Sequence, residues 1–254
     1  STYRALPAAV LRWCDTAVDI TAFTAGISDD LRRVAAQATM RSCVMRRTSL
    51  RIVDFKNWPR PSWKQEMRPP PVQVDSALKA VGKTSFRLRF TLSAAGLHLG
   101  TVHMTLVCVD QETHSSVRMI PHADELRALL QEPAAPTSEL SRPAGPAAFV
   151  WRQPVRWTDC DALGHVNNAV YANLLEEARA MAAATNEADA EWLQQPLVTL
   201  DIEYVGQPHP GDLLEVAVWW DSACRCCWFQ CEVAGGVMAK AYAELALQTK
   251  AARL

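Results

Sequence analysis

The sequence predicts an α+β protein made of two related copies, each an antiparallel sheet curled around one long central helix. Three observations support this prediction. The 254 residues are enough for two small domains, a Pro/Ala-rich segment divides the chain near its middle, and similar residue patterns recur on both sides of that segment.

The composition is that of a globular protein. Hydrophobic residues make up 49% of the chain, and 26 Lys and Arg stand against 27 Asp and Glu. This balance excludes disordered, collagen-like and coiled-coil classes. Because no run of about 18 uncharged apolar residues occurs, we expect no membrane span, and the start of the chain shows no hydrophobic signal segment.

The dividing segment is residues 131–148. It contains four prolines and one glycine, and Leu140 is its one large apolar residue. Such a segment cannot hold a packed element, so we interpret it as a linker between domains at 1–130 and 149–254.

The two domains share a residue pattern. An offset of 144 positions aligns Arg-Trp-Cys-Asp at 12–15 with Arg-Trp-Thr-Asp at 156–159, and an offset of 139 aligns Pro-x-Pro at 69–71 with that at 208–210. The change of offset falls in the intervening loop region. Two ancestral copies explain this order better than chance.

In the second copy the pattern predicts a strand, a helix and then four strands. The first strand is predicted at Phe149–Trp157. Apolar residues at helical spacing predict the helix, with Glu176, Glu177 and Arg179 on its other side. The apolar residues are Val170, Tyr171, Leu174, Leu175, Ala178 and Met181. The later strands are predicted at Leu197–Val205, Leu213–Trp220, Cys226–Val233 and Val237–Leu247.

In the first copy, two segments predict hairpin strands. Apolar residues alternate with polar ones in Val81–Leu92, at Phe86, Leu88, Phe90 and Leu92, and Leu99–Val109 repeats the alternation. An antiparallel sheet beside a single helix can bury the apolar face of that helix only by curling around it.

The eight cysteines are irregularly spaced, so we interpret them as free thiols in a reducing compartment. Cys224 and Cys227 form a CxxC pair, but the segment is predicted as a strand, where residues three apart point to opposite faces. We therefore expect neither a metal site nor a cofactor.

Charge is distributed unevenly. Residues 1–130 carry 18 basic and 11 acidic residues, a net +7, and residues 131–254 carry 8 basic and 16 acidic residues, a net −8. Two interpretations remain open: the halves attract each other, or the basic half binds an acidic partner such as an acyl carrier protein, coenzyme A phosphates or RNA. The Arg-rich stretch is Arg41, Arg46, Arg47 and Arg51.

Residues 156–171 concentrate chemically active groups between a strand end and a helix start. The first N–H groups of a helix suit a developing oxyanion, and Gly164 permits close approach of a carbonyl. Asp161 can act as base or nucleophile, and His165 can position groups or carry a proton. As alternatives, Asp159 is a turn acid or partner of Arg156, and Asn167 or Asn168 caps the helix.

This stretch resembles the signature of the hotdog-fold thioesterases, the 4-hydroxybenzoyl-CoA thioesterase-like and acyl-acyl-carrier-protein thioesterase group. The shared pattern is Asp-x-Asp at 159–161, Gly-His-Val-Asn-Asn at 164–168 and Tyr171 on the ensuing helix. Further similar segments are Glu176–Arg179, Ile202–Tyr204 and Pro210–Asp212. The resemblance implies tandem hotdog folds that pair as an internal pseudo-dimer and hydrolyse a thioester at the pair interface.

Position by position, the resemblance makes Asp161 the catalytic carboxylate and matches His165 to the histidine of the acyl-carrier-protein branch. It assigns oxyanion or substrate binding to Gly164, Val166, Asn167, Asn168 and Tyr171. Leu163 replaces an Asn of the plant members, and Gln207 replaces an acid. The motif is therefore closer to the bacterial coenzyme A type.

The first copy lacks these groups. At the 144 offset, Asp161 corresponds to Ala17, Gly164 to Ile20 and His165 to Thr21, and the two asparagines correspond to Phe23 and Thr24. This copy is predicted to be degenerate, so a chain has at most one active site.

The leading functional hypothesis is an acyl thioesterase of fatty acid metabolism, acting on acyl-CoA or an acyl carrier protein at a single site in the second domain. The competing hypothesis is a non-catalytic, thioesterase-like scaffold subunit of a larger assembly that could contain RNA. A dehydratase shares the fold but has a different histidine-centred motif, absent here. The chain begins with Ser, which fits either trimming or a removed targeting peptide, so a mitochondrial or other organelle matrix and the cytoplasm both stay open.

Overall fold

The computed structural model describes residues 43–53, 72–110, 116, 140–161, 164–186 and 190–246. These residues form two compact units, one within Leu11–Ser138 and the other within Glu139–Leu254. The division falls inside the segment predicted as a linker, and the predicted domain limits stay predictions. The first-copy positions aligned with the motif, residues 12–24, lie outside the described residues, as do Arg41 and Leu163.

In the first unit the described residues form one antiparallel sheet of four strands. The strands are β1 (Cys43–Ile52), β2 (Val72–Val81), β3 (Ser85–Ala94) and β4 (Leu97–Cys108). Their order across the sheet is β2-β3-β4-β1. The described part of this unit therefore supplies the sheet predicted for the first copy.

Alternation in β3 follows the prediction, because Phe86, Leu88, Phe90 and Leu92 are all buried. Leu88 pairs with the buried Met104 across the sheet. The predicted start of this strand was wrong: Val81 ends β2, and the chain turns back at Gly82. The Gly82 N–H donates to the Ser85 carbonyl at 2.6 Å, which closes the turn between the two strands.

The described residues of the second unit form a strand, a long helix, a short helix and four further strands. They are β5 (Phe149–Pro154), α1 (Asn168–Thr185), the short α2 (Ala190–Leu193), β6 (Leu197–Tyr204), β7 (Leu213–Asp221), β8 (Cys226–Val233) and β9 (Gly236–Leu245). Within this unit the antiparallel strand order is β6-β9-β8-β7-β5. The α+β prediction and the strand–helix–strands order are confirmed here.

The core of the second unit lies on one face of this sheet, against α1. Alternate side chains of the central strands are buried: Leu214, Val216 and Val218 on β7, Cys227, Phe229 and Cys231 on β8, and Ala239, Ala241 and Ala243 on β9. Helix α1 contacts β5 and β7. The apolar face of the helix is thus covered by the sheet, as amphipathic patterning requires.

The first strand of this unit is shorter than predicted. It ends at Pro154 rather than Trp157, and residues Trp157–Asp159 form a single 3-10 turn. The carboxylate of Asp159 accepts the N–H of Arg156 at 2.9 Å. This bond turns the chain out of the sheet just before the motif.

Helix α1 differs from prediction in which side chains it buries. Glu176 and Arg179, predicted on the solvent side, are 5% and 2% exposed, whereas Met181, predicted in the apolar face, is 45% exposed. A 2.5 Å ion pair joins Glu176 to Arg179, and the guanidinium also donates to the carbonyls of Leu193 and Gln195. These partners make burial of the two charges tolerable.

Cysteines with described side chains are free thiols. Cys226, Cys227 and Cys231 are buried in β8, whereas Cys224 is exposed in the turn before it and not in the strand predicted for it. Burial raises the pKa of Cys226 to about 11, and that of Cys227 and Cys231 to about 12. In the described part of the chain no cluster of three His, Cys, Asp or Glu side chains could hold a metal ion.

Among the described helices, none is long and apolar enough to cross a membrane.

Candidate functional site

The candidate site is the loop that leads from the 3-10 turn into α1. A short ring of backbone bonds shapes this loop. The Asp161 N–H donates to the His165 carbonyl at 2.9 Å, and the Gly164 N–H donates back to the Asp161 carbonyl at 3.0 Å. Gly164 has φ +77°, the left-handed region that glycine adopts at no steric cost. A Cβ there would meet no atom of the described residues within 4 Å, so backbone conformation, rather than space, favours glycine.

Asp159, the first acid of the motif, holds the loop in place. It is 5% exposed, and its carboxylate accepts the Arg156 guanidinium at 2.9 and 3.0 Å. Its own carbonyl accepts the Asn167 N–H at 2.9 Å. The hydrogen bond and charge of Asp159 raise the pKa of Arg156. The interpretation of Asp159 as a turn acid and partner of Arg156 is confirmed.

Asp161, the second acid, lies in a different environment. It is exposed, and its Oδ1 lies 3.4 Å from the backbone nitrogen of the half-buried His165. The loop therefore brings together the two residues predicted to be catalytic. An exposed carboxylate can take a proton from water or attack a carbonyl.

The N–H groups at the start of α1 are largely used within the protein. The side chain of Asn167 accepts the Ala169 N–H at 2.9 Å, and its carbonyl accepts the Val170 N–H at 2.9 Å, so Asn167 is the predicted cap. The Val166 N–H donates to the Pro208 carbonyl at 3.3 Å.

The N–H of Asn168 is the exception. It has no acceptor among the residues that the structure describes. Asn168 is the first residue of an 18-residue helix, where the helix dipole favours negative charge. We predicted that several N–H groups of the first turn are unpaired. Since those of Ala169 and Val170 have acceptors, the Asn168 N–H is the backbone donor that we assign to an oxyanion.

Tyr171 is buried beneath this loop. Its side chain is 2% exposed, and its ring meets that of Tyr204 edge-on, with centroids 5.4 Å apart. Its hydroxyl has no hydrogen-bond partner among the described residues, and burial raises its pKa. The Tyr204 hydroxyl donates to the Asn168 carbonyl at 3.2 Å. In this structure Tyr171 belongs to the core. The substrate contact expected for it stays a prediction.

Cys160 lies between the two acids of the motif. Burial, together with the charges of Asp159 and Asp161, raises the pKa of its thiol. A thiol that stays protonated at neutral pH is a weak nucleophile. Asp161 and His165 are therefore the better candidates for the chemistry.

A residue that the sequence did not indicate, His209, also lies at this loop. Its Nδ1 lies 3.3 Å from the Gly164 carbonyl oxygen, and its ring centroid is 5.0 Å from that of His165. His209 is in the loop between β6 and β7. The Pro210–Asp212 segment resembles the family, and the histidine immediately before it was the available signal.

Comparison with known proteins finds a family match that includes the end of the candidate loop but not Asp161. Residues 163–223 match the model of the thioesterase superfamily. This match begins just after Asp161 and spans α1, β6 and β7. No curated protein matches the chain. The resemblance to the thioesterase superfamily is thereby confirmed over this segment.

Solved structures show the same fold over most of the chain. An acyl-ACP thioesterase from Bacteroides thetaiotaomicron aligns with a TM-score of 0.64 and 14% identity, over 85% of this chain and 82% of that one. The 12:0-ACP thioesterase from Umbellularia californica aligns with a TM-score of 0.62 and 18% identity, over 85% and 80%. These similarities confirm the predicted hotdog fold.

Proposed function

Because residues 163–223 resemble the thioesterase superfamily and the chain has the hotdog fold, we propose that this protein is an acyl thioester hydrolase. Its active site is the loop of the second unit that leads into α1. The observation that carries the proposal is the placement of an exposed Asp161 carboxylate and the His165 imidazole on the loop that ends at the Asn168 N–H.

Two routes use the same groups. In the first, Asp161 removes a proton from water as the water oxygen adds to the thioester carbonyl. In the second, the carboxylate itself adds to the carbonyl, giving an acyl-enzyme anhydride that water then cleaves. In both, the carbon–sulfur bond breaks as the tetrahedral oxyanion collapses, and the leaving thiolate takes up a proton.

The oxyanion is stabilised at the start of α1. The Asn168 N–H donates to it, and the positive end of the helix dipole favours its charge. His165, in the same loop, orients the thioester or carries the proton to the departing sulfur. Asp159 and Asn167 act indirectly, because their polar groups hold the loop and the first helical turn.

The substrate class we propose is an acyl-CoA or an acyl-carrier-protein thioester, hydrolysed at a single site per chain. Two of the similar structures are thioesterases of acyl carrier proteins, which supports an acyl-carrier-protein substrate. Leu163 and Gln207, which replace an Asn and an acid of the plant members, favour acyl-CoA.

Hydrolysis of acyl-CoA thioesters from acetyl to palmitoyl tests the proposal. We expect the wild-type chain to release coenzyme A, Asp161→Asn to lose this activity with its fold intact, and Asp75→Asn to match wild type. Asp75 is an exposed acid on β2 of the other unit and makes a suitable control. Retained hydrolysis in Asp161→Asn would contradict the assignment of the carboxylate.

Acyl-carrier-protein thioesters form the second arm of the same assay. Hydrolysis there, with none of the acyl-CoA series, would identify the carrier. Absence of hydrolysis in both arms would contradict the enzymatic proposal and favour the scaffold hypothesis.

A further inference from the structure

His209 lies in a turn that the structure holds firmly in place. The His209 N–H donates to the Asp212 carboxylate at 2.7 Å, and the Asp212 N–H donates to the His209 carbonyl at 3.1 Å. Gly211 completes the turn with φ +92°. The direction in which the imidazole leaves the backbone is thereby fixed.

The same turn is tied to the chain on both sides of the candidate site. Gly211 and Asp212 exchange two backbone hydrogen bonds with Val155, at 2.9 and 2.8 Å. The Pro208 carbonyl accepts the Val166 N–H at 3.3 Å. His209 is therefore carried by backbone that is bonded to residues before and after the Asp161–His165 loop.

The imidazole itself contacts that loop. A carbonyl oxygen can only accept a hydrogen bond, so the 3.3 Å contact with Gly164 requires the proton to be on Nδ1 of His209. In the neutral ring Nε2 is then the unprotonated nitrogen. The His165 ring lies against the same imidazole, inclined at 58°.

We propose that His209 is a positioning residue of the candidate site. It holds the Gly164 carbonyl, and with it the left-handed backbone of Gly164, and it limits the orientations open to the His165 ring. Its effect on hydrolysis rests on the proposed function, whereas its hydrogen bond and protonated nitrogen can be tested without any activity.

Three substitutions at His209 distinguish the loss of its hydrogen bond from a change in side-chain size. The Asn side-chain amide places an N–H where Nδ1 lies, so His209→Asn retains a donor to Gly164. His209→Gln places its amide nearer the position of Nε2, and His209→Leu removes the donor altogether. His98, an exposed histidine on β4 of the other unit, supplies the control His98→Leu.

With the full chain and a substrate that the wild type hydrolyses, we expect kcat to fall about fivefold in His209→Leu, since one hydrogen bond contributes about 1 kcal/mol. The Gln variant should resemble Leu, and Asn should recover most of the loss, with KM within about twofold throughout. Equal kcat in wild type and His209→Leu, or no recovery by Asn relative to Leu, would overturn the proposal.

Long-range ¹H–¹⁵N spectra of the histidine rings give an arm that needs no turnover. We expect the neutral His209 ring to carry its proton on Nδ1, and the His165 ring signals to move in His209→Leu but not in His98→Leu. A His209 ring protonated on Nε2, with unmoved His165 signals, would overturn the proposal. Inactivity of the wild-type chain on every thioester would contradict the proposed function alone.

Discussion

The loop before helix α1 and the middle of that helix place charged residues in opposite environments. In the loop, Asp161 is exposed and lies close to the backbone of His165. In the middle, Glu176 and Arg179 are buried, and each is committed to the other. Burial and partners, more than residue type, therefore separate the charges that hold the fold from those that can meet a substrate.

The largest effect on stability is expected from breaking the buried pair. Replacing Arg179 by Leu leaves Glu176 buried without the guanidinium and frees two carbonyls before β6. We expect the free energy of unfolding to fall by about 3–5 kcal/mol, measured by urea denaturation.

The exposed pair between Arg152 and Glu215 is the matched control. Its atoms are 2.7 Å apart, but the Arg152 and Glu215 side chains are 58% and 41% exposed, against 3% and 6% for the buried pair. Arg152→Leu should change stability little, because exposed ion pairs contribute little. Equal losses in the two variants would contradict the distinction between buried and exposed charges.

A smaller loss is expected at the helix cap. Asn167→Ala removes the acceptor of the Ala169 N–H, which should cost about 1 kcal/mol in the same assay. Asn167→Asp keeps an acceptor oxygen and should be close to wild type. If both variants unfold together with wild type, the cap does not stabilise the start of α1.

Exposed and buried cysteines are expected to differ in reactivity in the same way as the charges differ in role. Labelling them is the prediction with the smallest effect on the fold. Under non-denaturing conditions, iodoacetamide should label the exposed Cys224 and leave the buried Cys227 and Cys231 unmodified. Peptide mass spectrometry measures the labelling of each cysteine. Rapid labelling of Cys231 in the folded chain would be incompatible with its burial.

Burial of these thiols also gives stability a defined pH dependence. The pKa of Cys231 is raised from 9.0 to about 12, so the folded state binds the proton more tightly than the unfolded state. Its contribution is complete below pH 9 and is lost as the pH rises towards 12. Cys231→Ala should therefore lose less stability than wild type between pH 9 and 11, measured by chemical denaturation. If the free energy of unfolding falls equally with pH in Cys231→Ala and wild type, the Cys231 thiol does not contribute to the pH dependence.

The spacing of apolar residues along the sequence predicted the strands and the long helix. The strands and α1 follow alternation and helical spacing, and the motif placed Asp161 and His165 together because they are close in sequence. Periodicity assigns charged residues to solvent, so it could not indicate that Glu176 and Arg179 pair within the core. His209 approaches Gly164 through tertiary structure alone, from a loop beyond β6.

The end of the first strand of the second unit was not predictable from side-chain pattern. The strand was predicted to reach Trp157, but the Arg156 N–H donates to the Asp159 carboxylate rather than to a neighbouring strand. In the structure Trp157 is 80% exposed. Backbone hydrogen bonding thus decided the boundary against side-chain pattern.

The most direct test of this account compares the two acids of the motif, Asp161→Asn and Asp159→Asn, in both thioester hydrolysis and thermal unfolding. The account predicts that Asp161→Asn lowers kcat by at least about 100-fold while Tm stays near the wild-type value. Asp159→Asn should lower Tm because Arg156 loses its carboxylate partner, and it should retain measurable hydrolysis where it remains folded. Hydrolysis that survives in Asp161→Asn but is lost in a stably folded Asp159→Asn would contradict the division of roles.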